Sequence, residues 1–140
     1  DKNVNDLSAR TNVKGGMTSW KLFIKDQEFI NVLKNNLEGL PYAIPSGFLN
    51  EAWGIKLEKG QNTTFHDHMP ASVSGILYLS ESSTPLKFPD LNLEIYPKVG
   101  TIAVWSAPLI HGTGFLQEGP KYAIAFNMIE AKPWGNDDRD

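Results

Sequence analysis

The chain has no cysteine at all. Disulfides, thiolate metal sites and a cysteine nucleophile are therefore excluded, and the absence fits a reducing compartment. Long apolar runs are missing too. None approaches the ~20 residues needed to cross a bilayer, and no signal-peptide pattern is legible. Basic charge is in short supply: 13 Lys and Arg face 16 Asp and Glu, a net charge of −3. With no run of Lys or Arg, binding to a nucleic-acid backbone is not favoured electrostatically. No phosphate-binding glycine loop and no nucleophile elbow is present. Histidine is scarce as well, with three copies in 140 residues.

What remains is an ordinary globular composition, 41% hydrophobic and 11% aromatic. That is enough apolar material for one core, and a single domain over residues 1–140 is expected at this length. Residues 1–19 are polar, contain Gly15-Gly16 and read as an extended arm anchored by Trp20, Leu22 and Phe23. Phe29, Ile30, Val32, Leu33 and Leu37 recur at helical spacing. They predict one amphipathic helix over 26–38, with Asp26 as N-cap and Gly39 as stop.

Beyond Pro41 and Pro45 the period shortens to two. Trp53, Ile55 and Leu57 alternate with Gly54, Lys56 and Glu58, and residues 60–62 read as a turn. Strands are predicted at Ser72–Ser80, Leu86–Phe88, Leu93–Tyr96, Thr101–Ser106 and Lys121–Ala131, with Gly and Pro between them. The expectation is an all-β fold with one or two N-terminal helices, built as an antiparallel sandwich or jelly roll. The acidic segment 134–140 reads as a frayed tail.

The few histidines are placed tellingly. His66-Asp67-His68 puts two imidazoles two residues apart, and residues i and i+2 of an extended chain share a side. His111 follows Pro108-Leu109-Ile110 on a strand-to-loop rim. Three donors converging with open positions are what non-haem Fe(II) oxygenases use, although neutral imidazole also suits Zn, Cu and Ni. The candidate metal ligands, and the centre of any catalysis, are thus His66, His68 and His111. Asp67 competes with His68. In a turn it would complete a two-His, one-carboxylate set; on a strand it points away and serves as a solvated or tautomer-holding residue.

Lys121 opens the last predicted strand. Lys121, Ala123, Ala125 and Asn127 share one face, whereas Tyr122, Ile124, Phe126 and Met128 share the other. The second face reads as core. The first has a cation, two small residues and an amide, the profile of a cleft wall that admits a small anion; a solvated strand-end Lys121 is the alternative. Tyr78 shares a face with Ser72, Ser74 and Ile76 and can reach the same cleft or simply pack. Trp53 and Trp105 read as core rather than as substrate-binding residues.

At this point the motifs match a known family. Phe65-His66-Asp67-His68-Met69-Pro70-Ala71-Ser72-Val73-Ser74-Gly75-Ile76-Leu77-Tyr78-Leu79 resembles the His-x-His, Ser-Gly, Tyr-Leu stretch of small 2-oxoglutarate/Fe(II)-dependent oxygenases. Val99–Trp105 resembles their Pro-Gly strand leading to the distal histidine, here His111. Lys121-Tyr122-Ala123-Ile124-Ala125-Phe126-Asn127 resembles their Arg-x-Ser-Ile-x-Phe-Asn final strand, and Asn12–Thr18 resembles the start of short phage-type members. The resemblance implies a double-stranded β-helix, the cupin-like jelly roll. It implies oxidative decarboxylation of 2-oxoglutarate with O2, giving succinate and CO2 and hydroxylating a prime substrate. It implies Fe(II) held by His66, His68 and His111, and the cosubstrate held by Lys121 with Tyr78, Ala123 and Asn127 nearby. A cytoplasmic protein is expected, in the host cytoplasm where a phage encodes it.

Two departures from the family pattern matter. A third imidazole stands where a carboxylate is usual, and Lys121 replaces Arg, a point charge in place of a bidentate fork. Ala123 also lacks the family's hydroxyl. Two other readings therefore stay open: a three-histidine cupin-type dioxygenase that needs no 2-oxo acid, and a metal-binding jelly-roll module without enzymatic activity. The sequence does not name the prime substrate.

Overall fold

A computed structural model describes residues 5–6, 13–37, 47–66 and 73–130. His68, Asp67, Gly39, the tail 134–140 and most of the N-terminal arm lie outside the described residues. One helix, α1 (Gln27–Leu37), precedes a run of strands: β4 (Gly47–Leu57), β5 (Asn62–His66), β6 (Val73–Tyr78), β7 (Leu86–Phe88), β8 (Leu93–Ile95), β9 (Ile102–Ser106), β10 (His111–Thr113) and β11 (Lys121–Glu130). The arm contributes β1 (Asn5–Asp6), β2 (Val13–Lys14) and β3 (Gly16–Met17). The expected extended arm is thus partly strand. Among its described residues, Val13 and Lys14 pair with β5 and Gly16 and Met17 with β4, as an edge strand invites.

Two antiparallel sheets result. One runs β1-β3-β4-β11-β6-β9, the other β2-β5-β10-β7-β8. Counted from β4 as 1, the last eight strands run 1-8-3-6 in one sheet and 2-7-4-5 in the other. That interleaving is a jelly roll, two Greek keys wound around one interior. The spine is the β4–β11 ladder, paired from Lys121↔Leu57 to Glu130↔Gly47 with one register shift after Asn127.

Helix α1 starts where the sequence places it. The Asp26 carboxylate accepts a hydrogen bond from the Phe29 amide at 2.9 Å, an N-cap that satisfies one of the helix's orphan donors. Its buried face, Phe29 and Leu33, packs on Ala52, Leu77, Ile124 and Phe126 of the larger sheet. Phe29 and Phe126 meet edge-on with ring centroids 5.9 Å apart. Gly75 makes that possible, because a Cβ there would overlap the Phe126 ring. Fully burying each phenyl ring contributes about 2–3 kcal/mol.

The opposite face of the same sheet looks into the roll. Met17, Trp53, Ile55, Leu57 and Leu116 form one interior cluster. Ile76, Tyr78, Leu86 and Phe88 form a second. Leu86–Phe88 and the start of β11 at Lys121 fall where the period-two pattern puts them. Beyond the short strands of the arm, two more strands were not predicted as such. Asn62–His66 begins inside the expected turn, and His111–Thr113 is a three-residue strand in the expected rim.

Candidate active site

His111 is the best-defined member of the site. It opens β10, is buried, and lies in a ring sandwich: Trp105 is 4.7 Å away edge-on and Phe88 is 5.9 Å away. Its Nδ1 stands 2.9 Å from the Leu109 carbonyl oxygen. A carbonyl can only accept, so Nδ1 carries the proton and the lone pair resides on Nε2. A backbone carbonyl holding one imidazole nitrogen while the other is offered to a metal is a recurrent arrangement at ligating histidines.

His66 occupies the end of β5, and the ladder pairs it with His111 as direct Cα partners. Tertiary structure therefore sets two of the three expected ligand positions side by side on neighbouring strands. Among the described residues no set of three His, Asp or Glu side chains gathers at one point; His68, the remaining expected ligand, is not one of them.

Beside His111 lies a partly open cavity of about 50 Å³ between the sheets. Lys121, Ala123 and Ala125 form one wall, Trp53 and Ile55 continue it, and Trp105, Thr63 and Thr113 complete it with His111. The inner face of β11 is thus a cavity wall, as the alternation predicts, for Lys121, Ala123 and Ala125. Trp53 and Trp105 do more than fill core, because both contribute to the wall. Thr63 and Thr113 were not singled out from sequence. The signal was there in the run of β-branched Thr63 and Thr64 and aromatic Phe65 before His66, a strand cue.

Lys121 is only 3% exposed. Its Nζ lies 5.5 Å from the centre of the Tyr78 ring, a favourable cation–π placement. The ion pairs among the described residues are Lys56–Glu58 and Lys87–Glu94, so no carboxylate there neutralises Lys121. Burial pushes its pKa down to about 8, since a desolvated ammonium is costly. Tyr78 is fully buried, and its hydroxyl has no hydrogen-bond partner among the described atoms. Burial pushes the phenol's pKa up, so it stays a protonated donor. A buried ammonium and a buried hydroxyl are thus left without a hydrogen-bond or ion-pair partner among the described residues, although only Lys121, and not Tyr78, lines the cavity.

Asn127 is placed differently. Its Oδ1 accepts from the Ser74 hydroxyl at 2.8 Å and its Nδ2 donates to Glu51 at 3.0 Å. The amide is engaged in that buried row rather than lining the cavity.

No protein-family model and no curated protein matches the chain. Solved structures do. An oxidoreductase of the 2OG-Fe(II) oxygenase family from Burkholderia pseudomallei superposes with TM-score 0.53 at 12% identity, over 62% of this chain and 47% of that one. A viral collagen prolyl hydroxylase from Paramecium bursaria Chlorella virus-1, in its 2OG complex, gives 0.52 at 17% identity, over 74% of this chain and 67% of that one. An RmlC-like cupin from Desulfovibrio desulfuricans gives 0.45 at 15% identity, over 56% and 70%. The chain thus spans about half the length of the Burkholderia protein. At these identities the first two comparisons establish a shared jelly-roll fold. Among the described residues no helix is long and apolar enough to cross a membrane.

Proposed function

We propose that this protein is an Fe(II)- and 2-oxoglutarate-dependent oxygenase acting as a hydroxylase. The observation that carries the reading is a buried ammonium, Lys121, without a carboxylate partner among the described residues, in the cavity wall that also holds His111. A fold does not maintain such a charge for stability. A site for one end of a small dicarboxylate gives it a task.

The residues fit the implied cofactors. His66, His68 and His111 would hold Fe(II), and the Leu109 carbonyl sets His111 in the tautomer that a metal needs. Lys121 would take the far carboxylate of 2-oxoglutarate, with the Tyr78 hydroxyl as a second donor. Bound together, iron and 2-oxoglutarate would activate O2, releasing succinate and CO2 and placing one oxygen atom on a C–H bond of the prime substrate. The chain's own part is orientation and exclusion of water. Trp105 and Phe88 hold the His111 ring in place. Trp53, Ile55 and the two alanines keep the cavity apolar, which strengthens the Lys121–carboxylate attraction.

An all-imidazole ligand set also suits a three-histidine dioxygenase that uses no 2-oxo acid, but the buried Lys121 has no task there. The test is spectroscopic. Adding 2-oxoglutarate to the anaerobic Fe(II)-loaded protein should produce a visible charge-transfer band, and turnover should yield succinate only with Fe(II) and O2. Lys121→Ala should raise the KM for 2-oxoglutarate at least tenfold while leaving metal content unchanged. An Fe(II) spectrum indifferent to 2-oxoglutarate would overturn the proposal.

A further inference from the structure

The two histidines that are Cα partners across β5 and β10 pair because of an irregularity. Thr113 pairs with Thr63, and His111 pairs with His66. Two residues of β10 therefore run against three of β5, which is a β-bulge in β5. A regular ladder stepped from Thr63 would bring Phe65 opposite His111. The extra residue substitutes His66 at that position and leaves Phe65 with its side chain 52% exposed. Bulges of this kind sit near active sites and re-aim what a strand presents.

Two neighbours pin the bulge. Gly112 lies against it: a Cβ at that position would stand 3.1 Å from both the backbone N and the Cα of Phe65, and 2.9 Å from its Cδ1. Backbone atoms of a paired strand cannot easily retreat, so a side chain here displaces β5 at the bulge by at least a few tenths of an ångström. Thr63 holds the other end. Its Oγ1 accepts a hydrogen bond from the Thr113 amide at 2.9 Å, where the ladder is interrupted.

We infer that Gly112 and Thr63 are positioning residues that lock β5 in the bulged register and so decide that a histidine, not Phe65, stands opposite His111. The inference rests on the metal-site reading above, since it assigns the register a purpose there. It touches no expected ligand and adds none.

Cobalt(II) binding tests it without turnover. The wild-type protein should take up one Co(II) per chain with a visible d–d spectrum. Gly112→Ala and Thr63→Val should keep the far-ultraviolet circular dichroism of the wild type yet bind Co(II) 10–100-fold more weakly, the usual cost of losing support around a metal ligand, with an altered band shape. Thr63→Ser, which restores the acceptor oxygen, should restore both affinity and spectrum. Should Gly112→Ala fail to fold, the Thr63 pair decides alone. Wild-type binding with equal affinity and spectrum in Thr63→Val overturns the positioning role and leaves the metal site standing. No Co(II) uptake by the wild type overturns the metal-site reading and the inference with it.

Discussion

The two faces of β11 are made of the same ten residues of backbone and do opposite things. Outward, Ile124 and Phe126 close against Phe29 and Leu33 of α1 in a hydrophobic cluster. Inward, Lys121, Ala123 and Ala125 leave a cavity and bury a charge beside it. One face gains stability from each atom it adds. The other forgoes packing to keep room and a cation. The contrast teaches where this fold derives its stability and where it forgoes some of it to keep an opening beside a buried charge.

Breaking the outward face should produce the largest effect. Phe126→Ala removes a fully buried ring that Gly75 and Phe29 are shaped to receive. It should cost about 3–5 kcal/mol in urea unfolding.

The inward face should respond with the reverse sign. Lys121→Met replaces a desolvated ammonium by an apolar chain of similar length, and the apo protein should become more stable. The pH dependence identifies the cause. Below about pH 8 Lys121 is protonated both folded and unfolded, and the folded state bears the full desolvation cost. As pH rises above about 8 the folded chain releases its proton first, so wild-type stability climbs. The advantage of Lys121→Met should therefore be about 3 kcal/mol below pH 8, and it should vanish as the pH approaches the ordinary lysine range. An advantage constant with pH would point to packing instead of charge. The same variant should lose the 2-oxoglutarate response.

The smallest effect sharpens the comparison. Ala123→Ser places a hydroxyl on the cavity wall in line with Lys121. One added hydrogen bond to a bound carboxylate is worth about 0.5–1.5 kcal/mol, so the KM for 2-oxoglutarate should fall by roughly two- to tenfold. The matched change on the other face, Ile124→Ser, should leave KM alone and lower stability.

Much of this contrast could be read before any coordinates. Period-two alternation separated Lys121, Ala123 and Ala125 from Ile124 and Phe126, because a strand's side chains can only go two ways. Asp26 as the helix cap was legible because capping is local. Asn127 was not. Its place on the Lys121 face suggested a cavity residue, whereas Ser74 and Glu51, distant in sequence, engage its amide. Trp53 and Trp105 also resisted reading, since an indole looks the same in a solid core and in the wall of a hollow one. β5 was hidden by its bulge, which breaks the alternation on which strand prediction depends.

By itself the amino-acid order determined the helix, most of the longer strands with their inward and outward faces, and the chemical inventory: three imidazoles, one lysine at a strand mouth, no thiol. These follow from short-range geometry, from caps, periods and turns. Only the tertiary structure decided that His66 and His111 are partners, that Lys121 is shut away from water without a counter-charge among the described residues, and that a small cavity lies between the sheets. Those are long-range facts. They depend on which strands the interleaved ladder brings together, and on a single extra residue in one of them.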